Sequence, residues 1–66
     1  MRLVDFLDLY AGDGCTVNLL SSDGEYSDSA YIDDHTGDYP FDDFWYDGRV
    51  EYFDFEGNAL YVSVSI

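Results

Sequence analysis

The sequence predicts an α+β domain: a short N-terminal helix packed on a roughly four-stranded antiparallel sheet built from two hairpins. Three observations carry this. Leu3, Phe6, Leu7 and Tyr10 fall at i, i+3, i+4 and i+7, one apolar face of a short helix, with Asp5 and Asp8 on the other side. Two glycine turns, Ser22-Asp23-Gly24 and Glu56-Gly57-Asn58, each separate a pair of alternating runs. The last run is the clearest: Leu60, Val62, Val64 and Ile66 face one way while Tyr61, Ser63 and Ser65 face the other.

Taken in order, the helix ends where Gly12 and Gly14 flank Asp13. From Cys15 to Leu20, Cys15, Val17 and Leu19 alternate with Thr16 and Asn18, which reads as a strand. The return run from Glu25 to Ile32 has a weaker apolar signal, as suits an edge strand or one with a wet face. Asp33-Asp34-His35-Thr36-Gly37-Asp38 reads as a polar loop, and Pro40 to Tyr46 as one helical turn with proline near its start. Asp47-Gly48 ends that turn. Between Arg49 and Phe55 the pattern slips from Val50/Tyr52 to Phe53/Phe55, the mark of a bulge in a third strand. The strand from Ala59 to Ile66 belongs in the middle of the sheet or under good cover. A small, partly closed barrel is the competing architecture. No repeat and no linker divides residues 1–66, so the chain reads as a single acidic interaction domain.

Size and charge exclude several functions. Sixty-six residues carry 15 acids against two arginines and no lysine, a formal charge of -13. Phosphate backbones would repel such a surface, so direct nucleic-acid binding is close to excluded. No apolar run approaches the roughly 20 residues of a membrane span, and the N-terminus lacks the basic start and apolar stretch of a signal peptide. A lone cysteine, Cys15, builds no internal disulfide, which points to a reducing cytoplasm. High charge alone would suggest disorder, but 47% of residues are hydrophobic and 20% aromatic, ample for a core. A surface of one sign costs stability through self-repulsion, so its retention points to a use.

The acids are unevenly spread. Asp5, Asp8 and Asp13 are the only three in the first 22 residues, twelve lie between Asp23 and Glu56, and none follows. Same-face neighbours on a strand stand about 6.8 Å apart, close to two base-pair rises of about 3.4 Å. Carboxylates so spaced, with others on adjoining loops, imitate a row of phosphates. A surface built only for solubility usually mixes both signs, and lysine is absent here. The aromatics add to this, because a core of this size cannot hold every ring. Exposed Tyr and Trp beside acids resemble an interface hot spot, and Asp38 to Asp47 is the strongest case. Phe41, Phe44 and Trp45 equally suit a plug at one end of the sheet.

Catalytic chemistry finds little support. His35 is the only histidine, flanked by acids in a polar loop, and Cys15 sits on a strand face where it serves as a small hydrophobe. Carboxylate pairs are too abundant for any one to be informative. Asp33, Asp34, Asp38, Asp42 and Asp43 are the best candidates for calcium, but the regular calcium-loop spacing with its closing Glu is absent. No cofactor is implied and no metal site is assigned.

The Leu3-Val4-Asp5-Phe6-Leu7-Asp8 start, the strand from Gly14 to Leu20, the Asp23-Gly24 turn and the Leu60-Tyr61-Val62-Ser63-Val64 end resemble small acidic phage and prophage proteins. In size and charge the chain is similar to the DNA-mimic inhibitors that phages use against host nucleic-acid enzymes, of which anti-CRISPR proteins are the broadest class. The resemblance implies a partner with a basic nucleic-acid groove, such as a CRISPR effector nuclease, in the cytoplasm of a bacterial host. Asp28, Asp33, Asp34, Asp38, Asp42, Asp43, Asp47 and Glu51 would meet its Lys and Arg, while Tyr39, Trp45 and Tyr46 would supply contact area and selectivity. The chain also resembles the phage inhibitors of uracil-DNA glycosylase, which combine acidic mimicry with an apolar pocket; Tyr39, Phe41, Phe44, Trp45 and Tyr46 would form it here. A structural or assembly role is the third expectation. Two arginines are too few for a self-complementary charge interface, so an oligomer would pair apolar strand edges, with Leu60 to Ile66 as the candidate edge.

Overall fold

The computed structural model describes residues 1–11, 14–32 and 39–66. The sequence order is α1 (Leu3–Tyr10), β1 (Cys15–Ser21), β2 (Ser27–Ile32), α2 (Asp43–Tyr46), β3 (Arg49–Glu56) and β4 (Ala59–Ser65). The polar loop around His35, with Asp33, Asp34 and Asp38, lies outside the described residues, as do Gly12 and Asp13.

The fold is α+β, with both hairpins in place, but the sheet is mixed rather than antiparallel. Strand order is β2-β1-β4-β3; β1/β2 and β3/β4 are antiparallel, while β1 and β4 lie parallel in the centre. The cause is the path between the hairpins. The chain leaves β2 at one edge and re-enters through β3 at the other, so the return strand β4 runs beside β1 in the same sense. The two most apolar strands thereby share the middle of the sheet. The sheet is an open one, with β2 and β3 as its outer strands.

Each hairpin is closed by local chemistry. At the first, Gly24 adopts φ +78, which an L side chain rarely does. The buried Ser21 hydroxyl donates to the Asp23 carboxylate at 2.6 Å and accepts the Tyr26 amide at 2.9 Å. That donation, together with the Glu25 amide, holds the Asp23 carboxyl below its usual range. The Ser22 amide donates to the Val64 carbonyl and ties the turn to β4. β3 does carry a bulge, but the register shifts between Val50 and Tyr52, one step before the slip read after Tyr52, so Tyr52 joins Ser63 on the face opposite Val50.

Strand alternation and register sort the side chains onto two faces. On the inner face, the rows read Ala30–Val17–Leu60–Phe55 and Asp28–Leu19–Val62–Phe53 across β2, β1, β4 and β3. The helix lays Leu3, Phe6 and Leu7 into the core. Phe6 meets Phe53 with ring centroids 4.9 Å apart. Its N-terminal lead-in extends the sheet edge: Arg2 bridges Arg49, with the Leu3 amide bonded to the Gly48 carbonyl and the Val50 amide to that of Met1. Phe41 and Trp45 complete the core from the α2 side.

Candidate interaction surfaces

Among the described residues, the acids singled out from the sequence are spread over α2 and its flanks, β3 and β2. Asp42, Asp43 and Asp47 sit on and beside α2, all exposed, because the turn spends its inward positions on Trp45. Glu51 is exposed at the β3 bulge. Asp28 differs: its register beside Leu19 turns it to the inner face at the rim, where it is half-buried and accepts the Ser29 amide at 2.8 Å. Asp33, Asp34 and Asp38 lie outside the described residues. On a single strand face, the regular two-residue spacing is found at Asp54 and Glu56, both exposed and neither singled out from the sequence.

Positive charge does little to balance this. Arg2 reaches Asp5 at 3.2 Å and Asp47 at 3.4 Å, and the Asp5 contact raises its pKa above the ordinary value. All three side chains are exposed, so these pairs add little to stability. Every described acid other than Asp28 is exposed, and the field reaches solvent nearly uncompensated.

The aromatic segment is corrected in part. Trp45 is only 1% exposed and Phe41 is buried, so neither can be a contact residue; they plug the end of the sheet. Tyr46 and Tyr39 are half-buried and fastened. The Tyr46 hydroxyl donates to the Tyr39 carbonyl and accepts the Phe41 amide, and the Tyr39 hydroxyl donates to Asp8 Oδ1 at 2.9 Å. Burial first, and Asp8 second, push the Tyr39 phenol well above its ordinary pKa. Phe44 stays exposed, leaning on Tyr26 and Trp45. Phe41 and Trp45 are spent on the core, which leaves Tyr39, Phe44 and Tyr46 of these five rings at least partly at the surface.

The surface that sequence reasoning missed is the outer face of the sheet. No described helix covers it. Across β2, β1, β4 and β3 its rows read Tyr31–Thr16–Ala59–Glu56, Ser29–Asn18–Tyr61–Asp54 and Ser27–Leu20–Ser63–Tyr52. Leu20 is 50% exposed, Tyr31 58%, Tyr52 66% and Tyr61 45%. The Ser29 hydroxyl donates to Asn18 Oδ1 at 2.9 Å, a polar clasp between β2 and β1. Between the rings lies a shallow groove of about 190 Å³, lined by Asn18, Leu20, Tyr52, Tyr61 and Ser63 among others. This Tyr/Ser/Asn composition combines rigid amphipathic rings with adaptable hydrogen bonding, as recognition surfaces do. The signal was present in β4, where Tyr61 opposes a continuous apolar face, but its neighbours become visible only once the register is known.

Among the described residues no group of three or more His, Cys, Asp or Glu is placed to hold a metal ion, and no helix is long and apolar enough to cross a membrane. Of the carboxylates considered for calcium, Asp42 and Asp43 are described and stand exposed at α2. No protein-family model, curated protein or solved structure matches the chain.

Proposed function

We propose that this chain is a nucleic-acid mimic: an inhibitor whose acidic surface occupies the basic groove of a DNA-handling enzyme of a bacterial host, a CRISPR effector nuclease foremost. One observation carries this reading. The chain has a formal charge of -13, every described acid but Asp28 is exposed, and one of only two arginines is already paired within the chain. Such a field steers a basic partner into encounter and excludes nucleic acid from the same groove. Asp42, Asp43 and Asp47 around α2, with Glu51 on β3, are the described carboxylates offered to the partner's Lys and Arg. Tyr39 and Tyr46 act as the brace beneath them rather than as contacts. The uracil-DNA glycosylase alternative has two of its five pocket rings, Phe41 and Trp45, committed to the core, and so leans mainly on charge.

The test is competition. A purified CRISPR effector nuclease and a uracil-DNA glycosylase are each mixed with the protein and a labelled DNA substrate, at salt from about 0.05 to about 0.5 M. Displacement of DNA from one enzyme, with an association rate that falls steeply as salt rises, is the expected result. DNA that stays bound to both at excess protein and low salt overturns the proposal.

A further inference from the structure

We propose that the chain self-associates as a two-fold dimer through the outer face of its sheet, Tyr61 of each copy entering the groove above Ser63 of the other. The inference is independent of the inhibitor reading and starts from the register. Along β4 and β3 the outer face has four rows: Ser65/Arg49, Ser63/Tyr52, Tyr61/Asp54 and Ala59/Glu56. A two-fold axis lying in the interface, perpendicular to the strands and between the two middle rows, reverses this order in the partner. Tyr61 then stands opposite Ser63 and Leu20 opposite Asn18, each pair occurring twice. Large residues meet small ones, the alternation that lets two sheet faces interdigitate at about 10 Å.

The same operation brings Arg49 at one end of β3 opposite Glu56 at the other end of the partner strand, again twice. Tyr52 meets Asp54 in the same way. The aromatic fit supplies the contact, and the charge order selects antiparallel over parallel stacking. The groove itself argues for a side chain as occupant. At about 190 Å³ it falls below the roughly 300 Å³ at which small-molecule pockets begin. Among the described residues paired in these rows, the acids that face outward are Asp54 and Glu56 of β3, with Glu51 at the neighbouring bulge, while Asp5, Asp8, Asp42 and Asp43 belong to the helical elements. The alternative of pairing along the Leu60–Ile66 strand is closed, because β4 lies between β1 and β3.

Four strands about 4.8 Å apart and about 20 Å long give a footprint on the order of 400 Å² per copy. A standard interface takes about 800 Å² per partner, so the dimer is a weak one. Salt screens the repulsion between two chains of charge -13 and so strengthens the dimer. Mimicry of nucleic acid has the opposite salt dependence, and failure of one leaves the other standing.

Sedimentation equilibrium of the full chain, to about 1 mM, tests this at about 0.05, 0.15 and 1 M NaCl. The expected result is a monomer–dimer equilibrium that tightens about tenfold or more with salt. Tyr61→Ala weakens it about tenfold or more, while Leu9→Ala, on the exposed side of α1, leaves it unchanged. At about 0.15 M, Arg49→Glu and Glu56→Arg each weaken self-association, and mixing the two variants restores a heterodimer. The charge-swap pair keeps the test decisive should Tyr61→Ala fail to fold. A chain that is monomeric at every salt, a dimer indifferent to Tyr61→Ala in a folded variant, or a mixture that fails to recover overturns the proposal.

Discussion

The side-chain hydroxyl of Tyr46 donates to the main-chain carbonyl of Tyr39, seven residues earlier, and so closes the segment that carries Phe41 into the core. The same oxygen accepts the Phe41 amide at 3.1 Å and lies 3.0 Å from the Phe41 carbonyl. One phenol thereby organises main-chain polar groups of both Tyr39 and Phe41. Tyr39 in turn reaches Asp8, which fastens the assembly to α1.

Tyr46→Phe keeps the ring and removes the hydrogen bonds. The Phe41 amide is left without this acceptor in a part-buried setting, which costs about 1–3 kcal/mol. In urea titration the midpoint falls with the slope unchanged, because the native fold is retained. An unchanged midpoint would show that water replaces the phenol at no cost. Binding to a partner through the acids of α2 is expected to survive under conditions where the variant stays folded.

Gly48 lies where α2 hands over to β3, and its backbone is wedged. A Cβ there would stand 2.4 Å from Val64 Cγ1 and 3.1 and 3.2 Å from the carbonyl oxygens of Trp45 and Ser65. Two of those three obstacles are main chain and cannot rotate away. Gly48→Ala is therefore expected to cost about 1–3 kcal/mol by overpacking. Gly24 is the control: its φ is +78, but open space surrounds the added carbon. Gly24→Ala carries conformational strain alone, about 1–2 kcal/mol. Thermal unfolding of both variants separates the causes, because only Gly48→Ala should also perturb the near-ultraviolet signal of Trp45. Equal unfolding temperatures with an undisturbed Trp45 signal would contradict this assignment.

What the sequence disclosed follows the range of each physical signal. The helix Leu3–Tyr10 and the presence of a bulge in β3 were legible because their causes are local: a 3.6-residue apolar period, and a slip in a two-residue one. The central place of β4 followed from its unbroken apolar face. The parallel pairing of β1 with β4 was not legible, since turn chemistry closes each hairpin but does not orient one hairpin against another. Trp45 misled for a related reason. Acids at 42, 43 and 47 surround it in sequence, yet on a single turn they occupy the outward positions and leave Trp45 the inward one. The outer face stayed hidden because each strand contributes only a part of it. Leu20, Tyr52 and Tyr61 belong to three different strands and come together around one groove through register alone.

The bond between Tyr39 and Asp8 makes the fold sensitive to alkali in a defined direction. In the unfolded chain a tyrosine ionises near pH 10. In the folded chain burial and the Asp8 carboxylate keep the Tyr39 phenol protonated to higher pH. Below about pH 10 the phenol is neutral in both states and contributes no pH dependence. Above it the unfolded chain gives up a proton that the folded chain retains, so the unfolded state is favoured and stability falls as pH rises. Tyr39→Phe removes that proton from both states. The variant is expected to be less stable than the parent at pH 7, through loss of the bond to Asp8, and to lose less stability between about pH 10 and 12. Urea midpoints measured across that interval at constant salt provide the check. Parallel curves for the two proteins would mean that Tyr39 is not the group that carries the alkaline loss.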